Sequence, residues 1–365
     1  MKPDRIFYFD AMRSVLMMLG VVFHSAQVYN PDANWLISSP QGLEIASYIA
    51  SVLHSFRMPA FFAVAGFFCA VTLGRQDELQ YVRTRMQRLL FPMISTALTL
   101  NVLQTYLLNR HRPNAVSVAD FALNGGWVSH LWFLINLILY FLLAAAFVYA
   151  YRRMGSVWAV SLLKRIGQIP FWVALLLLPG FWLFARAIGK AGVPIHANFF
   201  GFIHVSSLIY YLPYFLFGVA LRLSDEIREK MESLSPLIPI AIAGICVFLL
   251  ESIEFNGGLT GLALVTGLTE LIQWCGVMLC FHFFRTFFSK PNRTWYYLSD
   301  ASYTVYLFHH VLVVGFGILF MRVGIPPLIE MLAIIMIVLA ITLSIHHFAI
   351  RRFGALRLLF NGKRY

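Results

Sequence analysis

In the stretch RSVLMMLGVVFH, Arg13 and His24 stand at either end of ten uncharged residues. An imidazole can take and return a proton near neutral pH, and a guanidinium grips an anion through forked hydrogen bonds. On a helix, eleven steps of 100° return to within about 20° of the starting direction, so the two side chains share one face. Along the axis they are about 16.5 Å apart. That spacing suits a long, thin ligand with an anionic head at Arg13 and a reactive tip at His24, and it requires a passage joining the two. An acyl-coenzyme A has this shape, with phosphates at one end and a thioester at the other. The plain structural alternative is a snorkelling Arg13 and a His24 bonded inside a helix bundle.

Other ionisable groups reach the same two levels. YVRTRMQRLLFP places Arg85 and Arg88 three apart on one face, where a guanidinium pair matches phosphate oxygens, or else marks topology alone. HSFRMPAFFAVAGFF carries His54 and Arg57. By helix rise Arg57 lies roughly 24 Å and His24 roughly 21 Å from the same membrane face. An arginine at that depth needs an anion: either the carboxylate of a succinyl tip or a structural partner among Glu251, Glu254 and Glu270. His130 and Trp132, in SHLWFL, and His309 and His310, in YTVYLFHH, come to the same depth. Adjacent histidines point about 100° apart, which gives no axial pair for haem, and no metal is expected. Asp10, three residues before Arg13, is placed to orient that guanidinium. Asp10 is too far along the helix to serve His24, for which Glu270 is the candidate orienting carboxylate. The pair His346-His347 is expected at the membrane interface.

These groups must be carried by apolar helices. Of 365 residues 60% are apolar and 12% charged, against about a quarter charged in soluble domains. Apolar runs of about twenty residues recur, each able to cross a hydrocarbon core. The fold class is therefore all-α, a polytopic integral membrane protein with about ten transmembrane helices. They fall near 10–30, 43–73, 89–109, 130–151, 168–188, 202–222, 236–255, 262–284, 298–320 and 326–350. The first run contains His24 and lacks a small-x-small cleavage site, so it reads as a retained helix rather than a signal peptide. Of 28 basic residues, only Arg110, Arg112, Arg186, Lys190 and Arg322 fall in alternate loops, and Arg57 falls within a span. All the others, Lys2, Arg5, Lys164 and Arg364 among them, lie on one side, which makes both termini cytoplasmic. The net charge of +12 is thus spent on topology and does not indicate nucleic acid. Cys69, Cys246, Cys275 and Cys280 lie inside apolar runs without metal-ligand spacing and read as packing residues. No linker, repeat or low-complexity tract interrupts the chain. The longest stretches outside the spans, 110–129 and 151–167, are too short to fold alone. Residues 1–365 are expected to form a single membrane domain with no soluble domain.

Arg13-x10-His24, the Arg-x-x-Arg of Arg85 and Arg88, FFAVAGFF, the HLW of His130–Trp132 and the Tyr-x-x-His of Tyr306–His309 resemble the membrane acyltransferase-3 superfamily. FYFDAMRSVLMMLGVVFHSAQVY, LHSFRMPAFF and YLFHH are most similar to a branch that succinylates osmoregulated periplasmic glucans at the bacterial inner (cytoplasmic) membrane. The resemblance implies ten core helices, a cytoplasmic acyl-CoA donor and transfer onto a carbohydrate hydroxyl. It makes His24 the catalytic histidine and Arg13, Arg85 and Arg88 the donor-binding positions. Ala65-Gly66 departs from the Ser-Gly of many members. The expected co-substrate is succinyl-CoA or acetyl-CoA, with no permanently bound cofactor. Partners are acyl-CoA, a glucan or other carbohydrate acceptor and the lipid bilayer. Arg57, His54, His130, Trp132, Glu270 and His309 are the expected substrate-binding residues. Two alternatives stay open: an O-acetyltransferase of O-antigen or exopolysaccharide, and a transporter or flippase for an anionic solute.

Overall fold

In hydrocarbon a backbone must bond all its polar groups within the segment, so apolar runs fold as helices. The computed structural model describes residues 6–113, 115–154, 165, 168, 170–253 and 258–363. Lys2, Arg5, Lys164, Glu254 and Arg364 lie outside the described residues. The helices are α1 (Phe7–Tyr29), α2 (Glu44–Leu73), α3 (Glu78–Leu98), α4 (Leu100–His111) and α5 (Val118–Ala122). A 3₁₀ turn (Ser129–Leu131) then opens α6 (Trp132–Met154), followed by α7 (Phe171–Lys190). A two-residue hairpin pairs β1 (Asn198–Phe199) with β2 (Ile203–His204). Beyond it come α8 (Val205–Leu223), α9 (Asp225–Ser233), α10 (Leu237–Ser252), α11 (Leu259–Phe288), α12 (Arg293–Phe320) and α13 (Pro327–Ile345). A π turn (His346–Ile350) leads to α14 (Gly354–Asn361).

Each stretch expected to span is mainly helical in its described part, the one at 202–222 beginning in β2. By length and composition seven helices among the described residues can cross a membrane, and an eighth if α9 and α10, bent by 71°, form one span. The chain is a multi-pass helical membrane protein. The expected span 89–109 is divided between α3 and α4, which meet at Thr99; its hydroxyl bonds back to the Ser95 carbonyl at 2.6 Å. The four cysteines are free and buried. His346 departs from expectation. It continues the buried face of α13 formed by Ile334, Val338 and Thr342 and lies fully inside, 2.9 Å from the Thr304 hydroxyl, while the adjacent His347 stays exposed.

Three contacts set the bundle. α1 and α2 run antiparallel, Phe9 stacking on Phe67 at 3.9 Å and Phe23 facing His54 at 6.1 Å. α1 and α12 run parallel: Arg13 meets Ser299 near the start of both, and His24 meets His310 eleven residues on. α2 and α8 cross backbone against backbone. A Cβ on Gly66 would stand 2.0 Å from the Phe215 carbonyl oxygen, and one on Gly218 would stand 1.8 Å from that of Ala63. Association in lipid relies on such small-residue contacts because burial of apolar surface drives little there. Gly66→Ala or Gly218→Ala is expected to lower stability by about 1–3 kcal/mol or more. Gly180→Ala, with open space around the new methyl, should leave the midpoint unchanged or slightly raised. Thermal unfolding in detergent measures both.

Candidate active site

α1 presents Arg13, Met17, Gly20 and His24 at positions i, i+4, i+7 and i+11 of one face. α12 offers Ser299, Tyr303, Tyr306 and His310 at the same intervals. Because the two helices are parallel, Arg13 meets Ser299, Met17 meets Ser302, Gly20 lies against His309 and His24 meets His310, while Tyr303 and Tyr306 turn toward Arg88, Phe133 and His130. Arg13 donates to the Ser299 hydroxyl, and Asp10 lies 3.6 Å from Arg13 as its spacing required.

At the Arg13 end is a cavity of about 200 Å³. Arg13, Arg85 and Arg88 all line it, so the three arginines singled out by spacing do converge. Arg85 donates to the Thr72 hydroxyl at 2.6 Å, and its guanidinium lies over the Tyr81 and Phe141 rings. The deeper wall is apolar, formed by Met17, Phe61, Ala65 and Phe133. Ala65 stands where a serine hydroxyl would otherwise reach the cavity.

At the His24 end a second cavity, of about 500 Å³, is lined by His24, Trp35, Ser129, His130, Trp132 and His310, with Arg112 at its edge. His24 packs against Trp35 at 5.5 Å, His309 at 5.3 Å and His310 at 4.7 Å between ring centroids. His130 stacks on His310 at 4.6 Å. Four imidazoles thus form one cluster, although no group of three or more His, Cys, Asp or Glu among the described residues is arranged to hold a metal ion. His309 Nδ1 lies 2.7 Å from the Tyr306 carbonyl. A carbonyl only accepts, so the proton is on Nδ1 and the lone pair on Nε2, which has no partner. His310 Nδ1 donates to the Gln104 side-chain oxygen at 2.6 Å, and Gln104 donates in turn to the Ser129 hydroxyl at 3.2 Å. Asn101 bonds the Trp127 carbonyl at 2.6 Å. Together α4 side chains hold the turn in which Ser129 takes φ +46°, a left-handed conformation that a non-glycine residue adopts only under constraint. No hydrogen bond of ordinary geometry reaches either ring nitrogen of His130, whose nearest such groups are the Tyr306 and Leu307 carbonyls.

Arg57 lies near His24, with its guanidinium over the Phe23 ring at 4.9 Å. Gly20 makes room for it: a Cβ there would come within 3.1 Å of Arg57 Nη1 and 3.4 Å of His309 Nε2. Its electrostatic neighbours are the phenols of Tyr211 and Tyr306, and Arg57 Nε has no partner. The structural pair with Glu251 or Glu270 is not formed; Glu251 is exposed. Glu270 is buried with Tyr210, Tyr211 and Tyr214 and faces Arg186. Glu270 therefore does not orient His24, because the wall of α8 tyrosines comes between. His54 is exposed beside Phe23, outside the imidazole cluster. Trp132 lines the second cavity and stacks on Tyr211 at 5.5 Å.

The expected passage is also corrected. Among the described residues the arginine and histidine cavities share no lining residue, and Tyr306 stands between them, its ring 5.5 Å from Phe133 on one side and 5.3 Å from His130 on the other. Its hydroxyl donates to the His130 carbonyl at 2.8 Å. Phe133, which lines the arginine cavity, Tyr306 and His130, which lines the other, thus stand in series as the wall.

Residues 6–347 match the family described as an acyltransferase domain. The chain belongs to the acyltransferase-3 family. It is 25% identical over 326 residues to the glucans biosynthesis protein C of Escherichia coli strain K12 / DH10B, covering 86% of this chain and 83% of that protein. The same figures hold for the protein of that name from Escherichia coli O9:H4 strain HS. No solved structure matches. Membership favours a membrane acyltransferase over a transporter or flippase.

The two cavities also involve residues that spacing alone did not single out: Trp35 lines one, Asp300 and Lys363 line the other, and Gln104 bonds His310. Asp300 carried a readable signal, a carboxylate at the edge of an apolar run. Gln104 carried none, since its role depends on α4 meeting α12. Gln104→Leu leaves His310 Nδ1 and the Ser129 turn without their shared partner. It is expected to lower acyl transfer by about 10²-fold, the scale of misplacing a reacting group by 1 Å. Steady-state turnover of the folded variant checks this.

Proposed function

We propose that the protein transfers an acyl group, succinyl in particular, from cytoplasmic acyl-CoA to a hydroxyl of a periplasmic glucan across a bacterial inner membrane. The observation that carries this reading is the placement of three arginines and one histidine at opposite ends of a single α1–α12 seam. Arg13, Arg85 and Arg88 hold the donor phosphates through charge-assisted hydrogen bonds. The pantetheine arm runs along Met17 and Gly20, and Tyr306 swings aside to admit it.

The acceptor hydroxyl enters the cavity of Trp35 and Trp132, whose aromatic faces and polar neighbours suit a sugar. Neutral His24 takes its proton as the oxygen attacks the thioester carbonyl. The tetrahedral oxyanion collapses, the C–S bond breaks, and the imidazolium returns the proton to the leaving thiolate. The products are a glucan ester and free CoA. His309 is unsuited to donate to the oxyanion, because its one proton is committed to the Tyr306 carbonyl. His130, close by and without a hydrogen bond of ordinary geometry, is the better donor.

Arg57 supplies the preference for a succinyl tip. A guanidinium without a carboxylate partner at this depth is costly, and the free carboxylate of a succinyl group pairs with it. The glucan acceptor is supported by the name of the Escherichia coli relative.

His24→Ala is expected to cut transfer about 10²–10⁴-fold, the usual worth of a general base, while the protein still folds; wild-type turnover would remove His24 from the chemistry. For Arg57→Met, succinyl transfer should fall far more than acetyl transfer when both donors are compared. Equal losses would give Arg57 a purely structural role.

A further inference from the structure

The arginine cavity holds one cation that spacing assigned only to topology. Lys363 lines it together with Arg13, Arg85 and Arg88, and Asp300 is the one carboxylate among the lining residues. Lys363 Nζ pairs with Asp300 Oδ1. The other carboxylate oxygen, Oδ2, lies 3.5 Å from Nε2 of fully buried His346. Buried Thr304 and His346, with half-buried Asp300, therefore fix the place where the ammonium sits.

The backbone is positioned with equal care. α14 packs along α3 and ends at Gly362 in the left-handed conformation, φ +61°. A Cβ there would stand 2.4 Å from the Arg88 Cα and 2.6 Å from the Gln87 carbonyl oxygen. Gln87 also donates to the Gly362 carbonyl at 3.2 Å. The segment is thus seated directly on the turn of α3 that bears Arg88, and its next residue is Lys363. A tail placed for topology alone would need neither the glycine contact nor a carboxylate backed by a buried histidine to aim its lysine.

We propose that Lys363 is a fourth donor-binding residue, which contacts a phosphate of acyl-CoA alongside Arg13, Arg85 and Arg88. An ammonium has three donors. Asp300 occupies one, so Lys363 can stay anchored while it binds phosphate. Asp300 and His346 are then positioning residues for it. This rests on the donor-binding reading given above.

The test is CoA binding to the full purified chain in detergent. Lys363→Gln should weaken the affinity by roughly tenfold or more, the worth of one hydrogen bond to a charged group. Lys363→Arg, which keeps the charge, should bind within about threefold of wild type. Saturating CoA should also shield Lys363 of the unmodified protein from an amine-reactive reagent, a readout that needs no variant to fold. Wild-type affinity in Lys363→Gln, or labelling of Lys363 undiminished by CoA, would overturn the assignment of Lys363 alone. Failure of the wild-type protein to bind CoA at all would overturn the donor-binding reading on which it rests.

Discussion

A charge within hydrocarbon is tolerated only where other groups replace the water it has lost. That constraint organises this molecule. Arg13, Arg57, Arg85 and the four clustered histidines share the narrow interior between α1, α2, α4 and α12, with α3 and α6 closing the arginine end. They can meet there because small residues lie at the crossings. Gly66 and Gly218 bring α2 onto α8, and Gly20 leaves room for Arg57 and His309 beside α1. The parallel register of α1 and α12 then lays their polar residues side by side, arginine and serine at one end and histidines at the other.

Much of this was legible in the sequence because a single helix fixes its own geometry. The eleven-residue interval from Arg13 to His24, the i, i+3 pair of Arg85 and Arg88 and the Asp10–Arg13 contact depend on nothing beyond 100° per residue. What failed depended on neighbours. Glu270 and His24 occupy suitable apolar runs, yet the tyrosines of α8 stand between them. His54 shares α2 with Arg57 but faces outward. His346 looked interfacial, but the face of α13 that carries it packs against Thr304 of α12, and Lys363 looked like a topology signal until α14 folded back on α3. Periodicity reports which residues share a face, not which faces meet.

The division into two cavities gives the wall at Tyr306 a chemical meaning within the proposed reaction. A thioester donor and a water-borne acceptor approach from opposite sides, and a continuous channel would also admit water to the thioester. A wall of stacked rings centred on Tyr306, tied by its hydroxyl to the turn that carries His130, keeps the two sides apart until the arm of the donor displaces it. Aligned with the same seam are the uncompensated charge of Arg57 and the fixed tautomer of His309, both within reach of His24.

The most direct measurement is an experimental structure of the protein with a non-hydrolysable succinyl-CoA analogue bound. The expected density has the phosphates among Arg13, Arg85 and Arg88, the arm along Gly20 with the Tyr306 ring moved aside, and the carbonyl next to His24. An analogue lying wholly on one side of an unmoved Tyr306 would contradict it.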